Sequence, residues 1–185
     1  LIAAEVRDVT CGHSLWAVNI HDDRRANLTA ALNSFAVDRV LRSRMGGQNL
    51  SNFVMSELPT PAPAEMLKLA TLRRALAALS YSREVYAREW LPRSLPKQWR
   101  SHWAATRAER LRLAVFVEVL NFAALGLSSG DLVTLLMECD WPADALESKP
   151  FTRTLNPKGF WRFEKDKDPE LRIAVLAQVA FRELE

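Results

Sequence analysis

The 185-residue chain predicts a mainly α-helical protein, with a small α/β remnant at its N-terminus followed by a helical spacer or bundle. Three observations carry that expectation. After Asn27, apolar residues recur at spacings near three and four, the period of an amphipathic helix. Glycines and prolines fall between these segments, where they act as stops. Weak alternation, the mark of a half-buried strand, is confined to the first 20 residues.

Taken in order, "LIAAEVRDVT" reads as the interior of a longer chain, with "EVRDVT" a candidate strand. "SLWAVNI", Ser14 to Ile20, is a second, bounded by Gly12 and by Asp22-Asp23. From Asn27, a candidate N-cap, the positions Leu28, Ala31, Leu32, Phe35, Val37, Val40 and Leu41 predict one amphipathic helix that stops at Gly46-Gly47. Phe53, Val54 and Leu58 form a short apolar bridge. Pro59, Pro61 and Pro63 then forbid a helix, which places a domain boundary after residue 63. The expected units are 1–63, the end of a recognition domain, and 64–185, a helical domain.

In the second unit, Ala64 to Trp90 predicts a long helix with Met66, Leu67, Leu69, Leu72, Leu76 and Leu79 inside and arginines outside, closed by Pro92 and Pro96. Thr106 to Leu125 is apolar on more than one side, so a central helix is expected, ended by Gly126. Ser128 or Ser129 then caps another helix with Asp131 in its first turn, where a carboxylate suits the helix dipole. The pair is a helix-turn-helix only in the loose sense that many helical proteins share. In the tail, a turn at Asn156 to Gly159 leads to Phe160, Trp161 and Phe163, aromatics suited to anchoring a loop or to stacking on bases. The charge run Glu164 to Asp168 reads as solvated, and Pro169 as the first residue of a final amphipathic helix.

Charge is unevenly placed. From Pro61 to Arg112 the chain carries eleven basic and four acidic residues, a local excess of +7 within a net charge of +3. Such an excess suits either a phosphate-tracking surface or a solvated helix face. No apolar run approaches the ~18 residues of a membrane span. Cys11 and Cys139 lie far apart without metal-ligand spacing, which fits reduced thiols in a cytoplasm.

Catalytic patterns are missing from the sequence. "NPKG" at Asn156 is not the acidic-aromatic tetrad that holds a flipped base for amino methylation. Gly46-Gly47 follow a predicted helix and have neither the Walker nor the dinucleotide spacing. His13, His21 and His102 form no ligand or triad pattern. Glu164-Lys165-Asp166-Lys167 matches a nuclease motif only loosely, so a nuclease reading stays open.

The stretch "LNSFAVDRVLRSRMGGQNLSNFVMSELPTPAP", Leu32 to Pro63, resembles the exit of the target recognition region in restriction-modification DNA adenine methyltransferases, including type II enzyme and methylase fusions and related phage-defence methylases. The residues that carry the likeness are Leu32, Asn33, Ser34, Phe35, Arg42, Arg44, Gly46, Gly47, Leu50, Leu58, Pro59 and Pro61. "LNFAALGLSSGDLVTLL" resembles that family's helix, turn and helix, and "PKGFWRFEKDKDPELRIAVLAQVAFREL" its C-terminal signature. Three departures stand out: Phe116 and Glu118 replace an acidic pair, Leu125 a tyrosine, and Gln48-Asn49 a Thr-His.

The resemblance implies a non-catalytic part of a larger enzyme, with methyl donor S-adenosylmethionine and catalytic tetrad upstream of Leu1. Double-stranded DNA is the implied partner. Arg39, Arg42 and Arg44, with Arg73 and Arg74 of the next helix, would position phosphates. Gly46 and Gly47 would allow close backbone approach, and Gln48, Asn49 and Asn52 would offer polar contacts to bases. On a plainer reading the glycines only end a helix and the amides cap the next turn. The alternative function is a helical interaction module that docks the methylase to a nuclease, a helicase or another defence subunit.

Overall fold

A computed structural model of the chain describes Val18, Ile20, 24–44, 50–61, 70–80, 103–136, Glu164 and 166–184. Within these residues the protein is mainly α-helical, and they contain no strand. The helices are α1 (Arg24–Leu32), α2 (Phe35–Arg44), α3 (Asn52–Ser56), α4 (Ala70–Ser80), α5 (Arg107–Ala124), α6 (Ser129–Leu136) and α7 (Ile173–Arg182). A 3₁₀ turn, Pro169–Leu171, precedes α7. The first expected strand, all of the second but Val18 and Ile20, the ends of the predicted helix from Ala64 to Trp90, and Phe160, Trp161 and Phe163 lie outside the described residues.

The central helix α5 has both ends written locally. Thr106 Oγ1 accepts the Glu109 N–H at 3.1 Å while Glu109 Oε2 accepts the Thr106 N–H at 2.9 Å, a reciprocal box that satisfies two otherwise orphaned donors. At the other end Gly126 takes φ +72°, its N–H donates to Ala123 O, and the Leu127 N–H donates to Phe122 O. This is a Schellman termination, whose left-handed residue favours glycine. Ser128 repeats the box with Asp131 to open α6, at N–O distances of 2.8 and 3.2 Å. The chain turns by 114° between α5 and α6.

Two expectations need correction. The single helix predicted from Asn27 to Gly46 is two helices, broken at Asn33-Ser34. Ser34 Oγ donates to Ala31 O and accepts the Val37 N–H, and Asn33 Nδ2 donates to Thr29 O, so short polar side chains compete with the backbone ladder where it tightens to i→i−3 bonds at Asn33 and Ser34. Pro169 opens the 3₁₀ turn, and the final helix begins only at Ile173. Arg172 occupies its N-cap position but offers no capping side chain.

Packing radiates from α5. One apolar cluster joins Ala36 of α2, Val115, Val119 and Phe122 of α5, Leu132 and Leu136 of α6, and Ala174, Ala177 and Phe181 of α7. Phe122 and Phe181 meet edge to face with centroids 6.4 Å apart. A second cluster sets Ala30 of α1 and Leu72, Ala75 and Leu76 of α4 against Val117 on another side of α5. The third holds α1, α2 and α3 together through Ala31, Leu32, Val37, Leu41 and Leu58. Helices on either side of residue 63 therefore share a core, because α5 has apolar side chains around most of its circumference. No single helix among the described residues is long and apolar enough to cross a membrane.

Candidate nucleic-acid interface

The candidate interface is the arm made by α2 and α3. The buried face of α2 is Ala36, Val37 and Leu41, which leaves Arg39, Arg42 and Arg44 at or near solvent. Ser51 caps α3 by accepting the Val54 N–H at 3.3 Å. Val54, Met55 and Leu58 turn toward Val37, Val40 and Leu41, so α3 is held on α2 by its apolar side. The exposed Arg44 guanidinium also pairs with Glu57 just past α3. The two ends of the Gly46-Gly47 segment are thus tied together, while Gly46, Gly47, Gln48 and Asn49 lie outside the described residues.

Sequence spacing alone overstated how alike the arginines are. Arg42 Nε bonds Asp38 Oδ2 at 2.7 Å, one turn back on the same helix. Asp38 is buried, so this contact supplies the charge partner that a carboxylate removed from water needs. Arg44 lies two residues beyond Arg42 and leaves the helix on a different side, toward α3. Its pair with Glu57 is solvent-exposed and therefore weak and exchangeable. On α4, Arg74 is exposed and Arg73 half-buried; α4 packs on α1 and α5, whereas α2 packs on α1, α3 and α6. Asn52, the first residue of α3, is exposed. The cap of α3 is Ser51, so Asn52 does not serve that purpose.

Beneath the arm lies a polar core that sequence reasoning missed. Glu118 of α5, only 5% exposed, accepts the backbone N–H of Phe35 at 2.8 Å. It thereby caps the start of α2 from 83 residues away. Burial pushes its carboxyl up to about 8; the Phe35 N–H acts in the opposite direction, and the nearby Asp38 and Glu164 charges add to the rise. At neutral pH the group is therefore mostly protonated.

Glu164 performs the corresponding task for α7. Its Oε1 accepts the Ile173 N–H at 2.8 Å and the Lys167 ammonium at 3.0 Å, and its Oε2 accepts the Ala174 N–H at 3.0 Å. Glu164 is buried, which corrects the expectation that the charge run there is wholly solvated; Asp166, Lys167 and Asp168 are the exposed part. Two helix N-termini thus meet acidic side chains supplied by other segments, each accepting backbone N–H groups that the helix leaves unpaired. Asn121, one turn after Glu118, is fully buried, and neither of its amide atoms has a hydrogen-bond partner among the described residues. Among those residues no group of His, Cys, Asp and Glu is arranged to hold a metal ion.

The arrangement is thus a cation-bearing helix and a short amide-bearing helix, docked on a helical body through a buried carboxyl. No protein-family model, curated protein or solved structure matches the chain.

Proposed function

We propose that the chain is the DNA-recognition and helical part of a larger restriction-modification or phage-defence DNA adenine methyltransferase, contributing contacts to duplex DNA but no methyl transfer of its own. One observation carries the reading. Arg39, Arg42 and Arg44 on α2 and the exposed Asn52 on α3 stand on either side of the glycine pair in sequence, and the apolar contacts of Val54, Met55 and Leu58 with Val37, Val40 and Leu41 hold the two helices together. Guanidinium groups track phosphates and amides read base edges, so the arm combines positioning with specificity. Arg74, exposed on α4, is a further cation available to phosphate in this reading.

S-adenosylmethionine belongs to a separate methyltransferase domain in this proposal. The setting is cytoplasmic. Titration of a labelled DNA duplex at low ionic strength tests the reading: micromolar or tighter binding supports it, and no binding overturns it.

The second reading, a docking module for a nuclease, helicase or other defence subunit, draws on the C-terminal helix. Val179 on it, Leu171 in the turn before it and Leu184 just after it expose aliphatic side chains to solvent. Co-purification of the intact system with and without Val179→Lys separates that role from DNA binding.

A further inference from the structure

The geometry points to Phe53 as a stacking platform for a nucleobase at the DNA interface, an inference that rests on the DNA-recognition reading above. The sequence suggests an apolar bridge residue, yet Phe53 is 70% exposed, more than any other large hydrophobic residue among those described. A single exposed apolar side chain is ordinary. The setting of this one is not.

Phe53 stands on a helix fixed from both ends. Ser51 caps it, Ser56 Oγ donates back to Phe53 O at 2.8 Å, and Val54, Met55 and Leu58 anchor the opposite side in an apolar cluster. Phe53 and Glu57 are one helical turn apart and share a face. Because Glu57 holds the Arg44 guanidinium, that cation lies on the same side as the ring. Asn52 and Ser56, both exposed, flank it. An aromatic face beside a guanidinium, an amide and a hydroxyl matches a base swung out of the duplex on its sugar-phosphate: the ring stacks on the face that extrusion uncovers, the cation meets phosphate, and the polar groups reach the base edge. The other strongly exposed hydrophobic residues, Val18, Leu171, Val179 and Leu184, are aliphatic and have no π face.

The test compares wild type, Phe53→Ala, Phe53→Leu and Phe53→Tyr in binding a duplex that carries 2-aminopurine, across a salt series. The inference predicts roughly tenfold weaker binding for the Ala and Leu variants and near wild-type affinity for Tyr, since only the last keeps a π face. It also predicts an unchanged salt slope, because the ring displaces no counterions. Exposure of the ring means that all variants fold; circular dichroism verifies this. Wild-type DNA affinity in Phe53→Ala and Phe53→Leu overturns the inference, assigns the ring to a protein contact, and leaves the DNA reading standing. Failure of wild type to bind DNA overturns both.

Discussion

The backbone N–H of Phe35 and the side chain of Glu118 meet at 2.8 Å across 83 residues of sequence. Through this bond the first residue of α2 is oriented by a buried carboxyl on the central helix, and the arm that carries Arg39, Arg42 and Arg44 takes its direction from it. Helix α2 has a local cap in Ser34 as well, so the long-range contact adds placement to a helix that already has a start.

Stability should respond to this carboxyl in the neutral range. In the folded chain Glu118 titrates near 8, chiefly through burial, against 4.5 for an ordinary glutamate. Between those values the folded state binds more protons than the unfolded one, so stability is greatest below about 4.5 and falls as pH rises through 8, by on the order of a few kcal/mol. Glu118→Gln keeps an acceptor for the Phe35 N–H but cannot ionise. Urea unfolding at pH 5, 7 and 8.5 should show that variant losing much less stability with rising pH than wild type.

Glu164 gives a prediction of a different kind. It satisfies two N–H groups at the start of α7, and no side chain at the N-cap position substitutes for it. Glu164→Ala should therefore cost about 2–3 kcal/mol, the range for buried, charge-assisted bonds whose partners are left behind. Thermal unfolding followed by circular dichroism measures it. Asp166→Ala, at an exposed neighbour, should change stability by less than about 0.5 kcal/mol.

Local capping signals were legible in the sequence; capping from a distance was not. Ser128 with Asp131 marks the start of α6 and Gly126 stands where a left-handed residue is required, whereas the box of Thr106 with Glu109 went unread although its spacing is the same. The break at Asn33-Ser34 was hidden by apolar spacing that runs through it without glycine or proline. Glu164 looked solvated because its charged neighbours are, and Glu118 carried no local sign that its partner would be Phe35. Phe53 shows the converse limit: residue type suggested burial, and only the packing of Val54, Met55 and Leu58 reveals which side of α3 is left outside.

Within the DNA reading, Glu57 acts as a removable counter-charge. It holds Arg44 in an exposed pair worth little energetically. Glu57→Gln should leave folding unchanged, tighten duplex binding about two- to fivefold, and steepen its salt dependence, because a negative charge beside the phosphates is gone. Fluorescence anisotropy at two salt concentrations checks it.

The most direct test of the recognition arm is the salt slope of duplex binding for wild type against an Arg39→Gln, Arg44→Gln double variant. Arg42 is spared because it pairs with the buried Asp38, so its removal would confuse lost DNA contacts with lost stability. If α2 tracks phosphates, wild-type affinity falls steeply with salt and the variant's logarithmic slope is shallower by roughly two. An identical slope in the two proteins, or no binding by wild type at low salt, contradicts the account.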